Sequence, residues 1–396
     1  MVVQAPLLDR VRMGLAYLPY FSLTGMRYFR SWLQYEKIHT FEDKLRINSF
    51  IPPWPSLAHK RLLHAAFSKD RIPFQVYYAI TGNCPCHCDH CSYAKRSGQE
   101  LSVHESLQFI DDAKKLGCSL IGFTGGEPLL RMDLELMIAA CKPELATILF
   151  TTGHGLTVKR AEALKQAGLD WFTVGFESAN EHQHDTVRKF SGSFQQAVQA
   201  LHVAQEAGLY TAISTVASKS KVNDGEIERL YDFSKNHSVN ELRIIPYVAT
   251  CGGVDDTEEM LELEEYRFLT SFHKKMNKKK TGPVIESFSY IESEELFGCG
   301  AGYHHFFVDA AGNVCPCDLT PLSFGKVTEE SLSIIWKKMK KYFPKPRSYC
   351  IMKQIAPKLK ERKRLPVPFD ESSRFVPPLK KKDTLPKMYT FLKKNR

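Results

Sequence analysis

The chain has 396 residues, 43% of them hydrophobic and 11% aromatic, enough for one large domain and a smaller one. No run of about 20 uncharged apolar residues occurs, which excludes a membrane-spanning helix; Met1 to Pro6 leads to Asp9, Arg10 and Arg12 instead of a cleavable apolar core, so no secretory signal is expected. The net charge of +10 comes from 54 Lys+Arg against 44 Asp+Glu. It favours an anionic partner but is equally explained by a solvated basic surface, and no base-reading module points to nucleic acid.

Residues 1–72 read as a leader. The stretch 15–23 is apolar but broken by Pro19, and 26–37 sets aromatics and Leu33 among basic residues. That second piece suits either an interfacial helix touching a membrane or a helix packed across the following domain. Ile51-Pro52-Pro53-Trp54-Pro55 marks a rigid extended connection. A strand is expected over 74–81. Straight after it, Cys84, Cys86, Cys88 and Cys91 fall within eight residues. Thiolates so close repel one another and oxidise readily, so a chain keeps them for a metal. The eleven cysteines, an odd number, suit a reducing cytoplasm better than a disulfide scaffold. A zinc site draws its ligands from two separated pairs, whereas Cys84-x3-Cys88-x2-Cys91 puts three in one loop. Three ligands on a [4Fe–4S] cube leave one iron open. A zinc knuckle or a plain electron-transfer cluster is the alternative.

From 74 to about 280, apolar runs alternate with amphipathic ones. Strands are expected at 119–124, 146–152, 171–176, 210–216 and 241–246, and helices at 106–116, 134–141, 158–167, 194–207, 226–236 and 262–275. This is an α/β pattern with parallel strands, and six units are too few to close an eight-stranded barrel. Polar motifs follow the strands: Thr124-Gly125-Gly126-Glu127-Pro128, Thr151-Thr152-Gly153, Phe176-Glu177-Ser178, and then His184-Asp185 with Arg188.

In that order, over roughly 200 residues, the motifs resemble those of the radical S-adenosylmethionine (SAM) superfamily. The resemblance implies a partial (β/α)6 TIM-like barrel and a [4Fe–4S] cluster on Cys84, Cys88 and Cys91. SAM would bind the fourth iron and be cleaved reductively to a 5′-deoxyadenosyl radical that abstracts a substrate hydrogen atom. It also implies a reductant such as flavodoxin or ferredoxin. His90 takes the place of the ring set against the adenine, and Cys86 lies outside the pattern. Gly125, Gly126, Glu127 and Pro128 resemble the motif that receives the SAM ammonium. Glu177 is expected at the ribose hydroxyls, because a carboxylate accepts two such bonds. Arg188, Ser214 and Thr215 are expected near the SAM carboxylate. Arg243 reads either as a reach towards cofactor or anionic substrate, or as an ion pair.

Beyond the barrel (73–282), residues 283–352 hold a second cysteine group: Cys299, Cys315, Cys317 and Cys350. Alternation around Ala310-Ala311-Gly312-Asn313 predicts a hairpin. The spacing Cys299-x12-Gly312-x4-Cys317 resembles the opening of the SPASM/twitch extension, which implies an auxiliary iron–sulfur cluster. Only Cys350 follows, so the region holds one at most, on Cys299, Cys317 and Cys350, with Cys315 as fourth ligand or bystander. His304 and His305 point to opposite faces of a strand, so at most one of them coordinates. Cys251 reads as a hydrogen-atom donor at the barrel mouth or as a small buried hydrophobe, and Cys118 and Cys141 belong to the core pattern. The tail, 353–396, is basic and proline-rich, which argues against a packed core. The expected function is radical SAM chemistry on a peptide or protein side chain. The alternatives are the same chemistry on a small anionic or lipid substrate, or a non-catalytic metal protein.

Overall fold

The computed structural model describes residues 2–379 and 383–394. A short hairpin, β1 (His39–Phe41) and β2 (Lys44–Arg46), precedes the main sheet. Then come β3 (Gln75–Thr81), β4 (Leu120–Gly125), β5 (Ala146–Thr151), β6 (Trp171–Gly175), β7 (Thr211–Ala217) and β8 (Glu241–Pro246). These are the six expected strands, paired in parallel in chain order. All seven positions of β3 are buried, because parallel strands with helices outside and a filled interior are covered on both faces. The helices fall where periodicity put them, with better-defined ends. Val103–Leu116, for example, starts three residues early at a Ser102–Glu105 capping box and stops at Gly117, whose φ of +100° only glycine takes cheaply.

Two further strands join the sheet. β9 (Val284–Ser287) runs parallel to β8, and β10 (His305–Val308) runs parallel to β3, with β11 (Val314–Cys315) turned back antiparallel on it. The sheet order is therefore β11-β10-β3-β4-β5-β6-β7-β8-β9. Among the described residues β9 and β10 do not pair, so the partial TIM-like barrel stays open on that side.

The leader is folded. The helix Leu23–Leu33 buries Gly25, Phe29 and Trp32, and these rings share a core with Phe74, Tyr290 and Phe297 at the N-terminal ends of the strands. Arg46 lies over the rings of Trp171 and Tyr210, at the starts of β6 and β7. The leader thus closes the barrel floor, the second of the two readings of 26–37.

The tail departs from expectation. The helix Met352–Leu359 buries Met352, Ile355, Ala356 and Leu359 against the main core, and Leu365 and Val367 are buried after it. Pro357 sits inside that helix, while Pro366 and Pro368 fall beside 365 and 367, which run extended and bridge Arg96 and Leu322, where fixed φ and a missing N–H cost little. Lys380, Lys381 and Lys382 of the basic run lie outside the described residues.

Candidate active site

Cys84, Cys88 and Cys91 follow β3 at the C-terminal ends of the strands. All three residues are partly exposed. They line a cavity of about 630 Å³ together with Gly125, Gly126, Thr151, Glu177 and Ser214. Their loop is tied down on three sides. Thr81 Oγ1 and Gly82 N–H donate to Glu100 at 2.8 and 2.7 Å, His87 N–H donates to the Arg188 carbonyl at 3.0 Å, and Gly252 N–H donates to the Cys91 carbonyl at 3.1 Å. Gly252 has no room for a side chain, since a Cβ would stand 2.6 Å from the Asp89 carbonyl oxygen. Sequence reasoning noted this glycine pair beyond the sixth strand but gave it no role. Hydrogen bonding from the Cys86 thiol is the largest influence lowering Cys84 and Cys88, the latter to about 6 with Arg188 and His90 adding to it. Burial pushes Cys91 up to about 11.

The glycine pair forms a cradle. Gly126 N–H donates to the Thr81 carbonyl at 2.8 Å and Glu127 N–H to the Asn83 carbonyl at 2.7 Å, which leaves no space for a Cβ on Gly126. Glu127 itself departs from its expected role. It is fully buried, and its carboxylate accepts from Leu129 N–H (2.9 Å), Thr151 Oγ1 (2.5 Å), Thr152 N–H (2.6 Å) and Thr152 Oγ1 (2.5 Å). With about four acceptor sites filled, it holds the Thr151-Thr152-Gly153 turn and has nothing left for an ammonium. Pro128 opens the short 3-10 turn Pro128–Leu130 and is buried beneath the cradle.

Glu177 does face the cavity, and two cations and an imidazole meet it: Arg188 at 2.9 Å, Lys221 at 3.0 Å and His90 at 3.4 Å. Burial alone would raise its pKa, but His90, Lys221 and Arg188 outweigh it and hold the carboxylate well below its usual range. Lys221, on the short helix Lys219–Asn223, was not singled out from the sequence. A second cavity, about 670 Å³, opens on the far side of His90, Glu177 and Tyr247. On β7 the alternation decides between the two hydroxyls: Ser214 lines the cavity, while Thr215 is buried on the opposite face and does not. Arg243 reaches neither cavity. It lies in the barrel interior, 2.9 Å from Glu286, 2.7 Å from Ser49 Oγ and 2.6 Å from Tyr77 OH.

The second cysteine group gathers beside β10. Cys299, Cys317 and Cys350 are near enough that the Cys350 charge raises Cys299 and the Cys299 charge raises Cys317, burial being the larger cause in both. Cys315 stands apart: it is fully buried on β11 and accepts from Arg96 Nη1 at 3.6 Å. Cys251 is buried beside Cys315 and Arg96, with a φ of +42°, and lines neither cavity. The two histidines separate as the strand geometry requires. His304 stacks on Phe74 and hydrogen-bonds Tyr389, in the leader's core. His305 Nε2 approaches Asp318 Oδ1 at 3.5 Å, and that oxygen lies 3.2 Å from Cys317 Sγ. Asp318 also lines the main cavity. Neither it nor Arg96, a buried cation whose Nη2 donates to the Asp318 carbonyl at 3.2 Å, was found from the sequence.

A model of the radical SAM superfamily matches residues 78–234, and a model of an iron–sulfur cluster-binding domain matches 299–352. The chain is 26% identical over 290 residues to the AdoMet-dependent heme synthase of Methanosarcina barkeri, covering 67% of this chain and 82% of that one. It is 24% identical over 302 residues to the namesake from Oleidesulfovibrio alaskensis, covering 69% and 77%. Among solved structures, Streptococcus suis SuiB bound to its precursor peptide SuiA aligns with a TM-score of 0.57 at 16% identity, covering 70% and 68% of the two chains. The AdoMet-bound anSMEcpe aligns at 0.55 and 15%, covering 68% and 82%. These two likenesses concern the fold. The domain pair implies a [4Fe–4S] cluster, SAM and auxiliary iron–sulfur. The residues fit such groups: three cavity-facing thiols, a side-chain-free cradle, and buried Thr173 Oγ1 and Arg188 Nε left without hydrogen-bond partners in the cavity wall.

Proposed function

We propose that this chain, a radical SAM domain followed by a SPASM domain, abstracts a hydrogen atom from a substrate held in the cavity that Cys84, Cys88 and Cys91 share with the glycine cradle. That shared cavity is the observation that carries the reading. The three thiolates hold the cluster, and SAM bound at its open iron supplies on reduction the 5′-deoxyadenosyl radical. The chain's own work is positioning. The cradle lets the cofactor approach backbone carbonyls, Glu127 fixes the turn beside it, and His90 and Glu177 stand where the two cavities meet, suited to adenine and ribose. Ser214 and Arg188 face the remaining polar end. Cys299, Cys317 and Cys350 hold one auxiliary cluster, and Asp318, not Cys315, is the donor placed to complete it.

A peptide or protein side chain is the substrate class we favour, supported by the fold shared with SuiB, whose structure holds a precursor peptide. A small anionic substrate is the second reading, favoured by the heme synthase relatives and by Lys95, Arg96 and Arg188 around the cavity. Anoxic reconstitution followed by reduction with SAM tests the chemistry. The expected result is 5′-deoxyadenosine release that is lost on replacing Cys84, Cys88 or Cys91 with Ala. Full iron loading without release would overturn the proposal. Deuterium transfer into 5′-deoxyadenosine from labelled peptides or from labelled carboxylic acids separates the two substrate readings.

A further inference from the structure

The helix Leu7–Tyr17 is apolar on two sides. One side, with Met13 and Tyr17, is buried in the leader's core, where Tyr17 OH meets His59 Nε2 at 2.7 Å. The other side carries Leu7, Leu8, Val11 and Leu15, continued by Leu18, and all five are exposed, by 46–68%. At 3.6 residues per turn these five lie within an arc of about 100°, roughly opposite Met13 and Tyr17. Arg10 and Arg12 flank the arc, one on each side, and Arg12 is paired only loosely with Asp9, at 3.7 Å. The concentration is not incidental. Of the fifteen large apolar side chains exposed among the described residues, seven fall in the first 23 positions, whereas surface apolar groups that need no explanation are scattered singly. Arg27 and Arg30 on the next helix are exposed as well.

We propose that this face docks on an anionic lipid bilayer, the helix lying in the interface with its leucine arc among the acyl chains and its arginines at the headgroups. An apolar stripe with cationic edges is complementary to that surface in both hydrophobicity and charge. A protein groove would satisfy the stripe but would not call for arginines on both edges. Among the described residues no helix is long and apolar enough to cross a membrane, so the contact is peripheral. The leader closes the N-terminal ends of the strands, so docking through it turns the cavity mouth, at the opposite ends, away from the lipid. This inference does not depend on the substrate or on the radical chemistry.

The test is co-sedimentation of the reconstituted full-length protein with phosphatidylcholine vesicles and with vesicles of equal phosphatidylcholine and phosphatidylglycerol. Binding is expected to the anionic vesicles and to weaken with salt. Leu8→Glu with Leu15→Glu should lower partitioning at least ~10-fold, and Arg12→Gln about 5-fold on anionic vesicles only. Both positions are solvent-exposed, so the double variant keeps its thermal stability and SAM cleavage. Wild-type protein left in the supernatant with both vesicle types, or a double variant that binds as well as wild type, overturns the proposal. So does a dimer, seen by sedimentation velocity without lipid, that the same variant dissolves, because the face would then belong to a second copy.

Discussion

Replacing Glu127 separates two roles for the carboxylate of the glycine–glycine–glutamate–proline motif. In the structure it accepts four hydrogen bonds and touches no solvent. Glu127→Ala strands the backbone N–H groups of Leu129 and Thr152, which cannot turn elsewhere, while the Thr151 and Thr152 hydroxyls can rotate. Each buried donor left unmade costs about 1–3 kcal/mol. Thr152 is only half-buried, so water recovers part of its share, and a loss of about 3 kcal/mol is expected. Glu127→Gln keeps the shape but sets an NH2 against one of the two amides, which costs roughly half as much. Thermal melts of the reconstituted protein should fall by roughly 5 °C for Ala and less for Gln, with SAM affinity, by equilibrium dialysis, weakened in the same order as the turn shifts. Unchanged melting with a tenfold or greater loss of SAM affinity would refute the argument, because the carboxylate would then be contacting the cofactor.

The remaining predictions concern the auxiliary site, the barrel interior and pH. Asp318→Ala should make the auxiliary cluster lose iron on mild oxidation, seen as a three-iron electron paramagnetic resonance signal, and Asp318→Cys should keep four irons at a more negative midpoint potential; spectra and potential that ignore both changes exclude Asp318 as a ligand. Arg243→Met leaves Glu286 buried and unpaired, so urea unfolding should show a loss of about 3–5 kcal/mol, smaller once Glu286→Gln is added; lost SAM cleavage at full stability would instead put the guanidinium at the cofactor. Burial lowers His39 from its ordinary 6.5 to about 3, its Nδ1–H bonded to the Lys37 carbonyl at 3.1 Å and its Nε2 to Tyr210 OH at 3.0 Å. The unfolded chain binds a proton that the fold refuses, so this contribution is complete above pH 6.5 and is lost as pH falls towards 3, by about 1.4 kcal/mol per unit. His39→Gln should flatten the acid limb of stability against pH, and an unchanged slope would count against a neutral His39.

Six strands were legible because strands buried on both faces read as unbroken apolar runs bounded by helical periodicity. β9 was not, and neither was the parallel pairing of β10 onto β3, although the β10–β11 hairpin itself was. β9 contains Glu286, acceptable in an interior only because Arg243 meets it across the ladder, and β10 begins at His305, beside a second histidine. Each polar residue is made tolerable by a partner far away in sequence, which no local pattern shows. The same holds for the site. Cys84, Cys88, Cys91, Gly125, Gly126 and Glu177, singled out by their resemblance to family motifs, line one cavity, but spacing could not tell that the Glu127 oxygens are spent on Thr151 and Thr152. Nor could it tell that Cys315 and Cys317, two residues apart, would face different neighbours. The tail was misjudged, and the leader left between two readings, for one reason: composition registers prolines and charges, but not the cluster that Trp32 completes with Phe297, or the bridge that Val367 makes to Leu322.

The parallel ladder between β10 and β3 makes the second metal region a stave of the barrel. A chain cut before Cys299 would leave β3, the strand that ends in the first cysteine loop, with a bare edge of unpaired N–H and C=O groups, an invitation to intermolecular pairing. A minimal enzyme trimmed to its first metal loop should therefore precipitate before it can be assayed. The shared ladder fixes where the second cysteine group stands relative to the first.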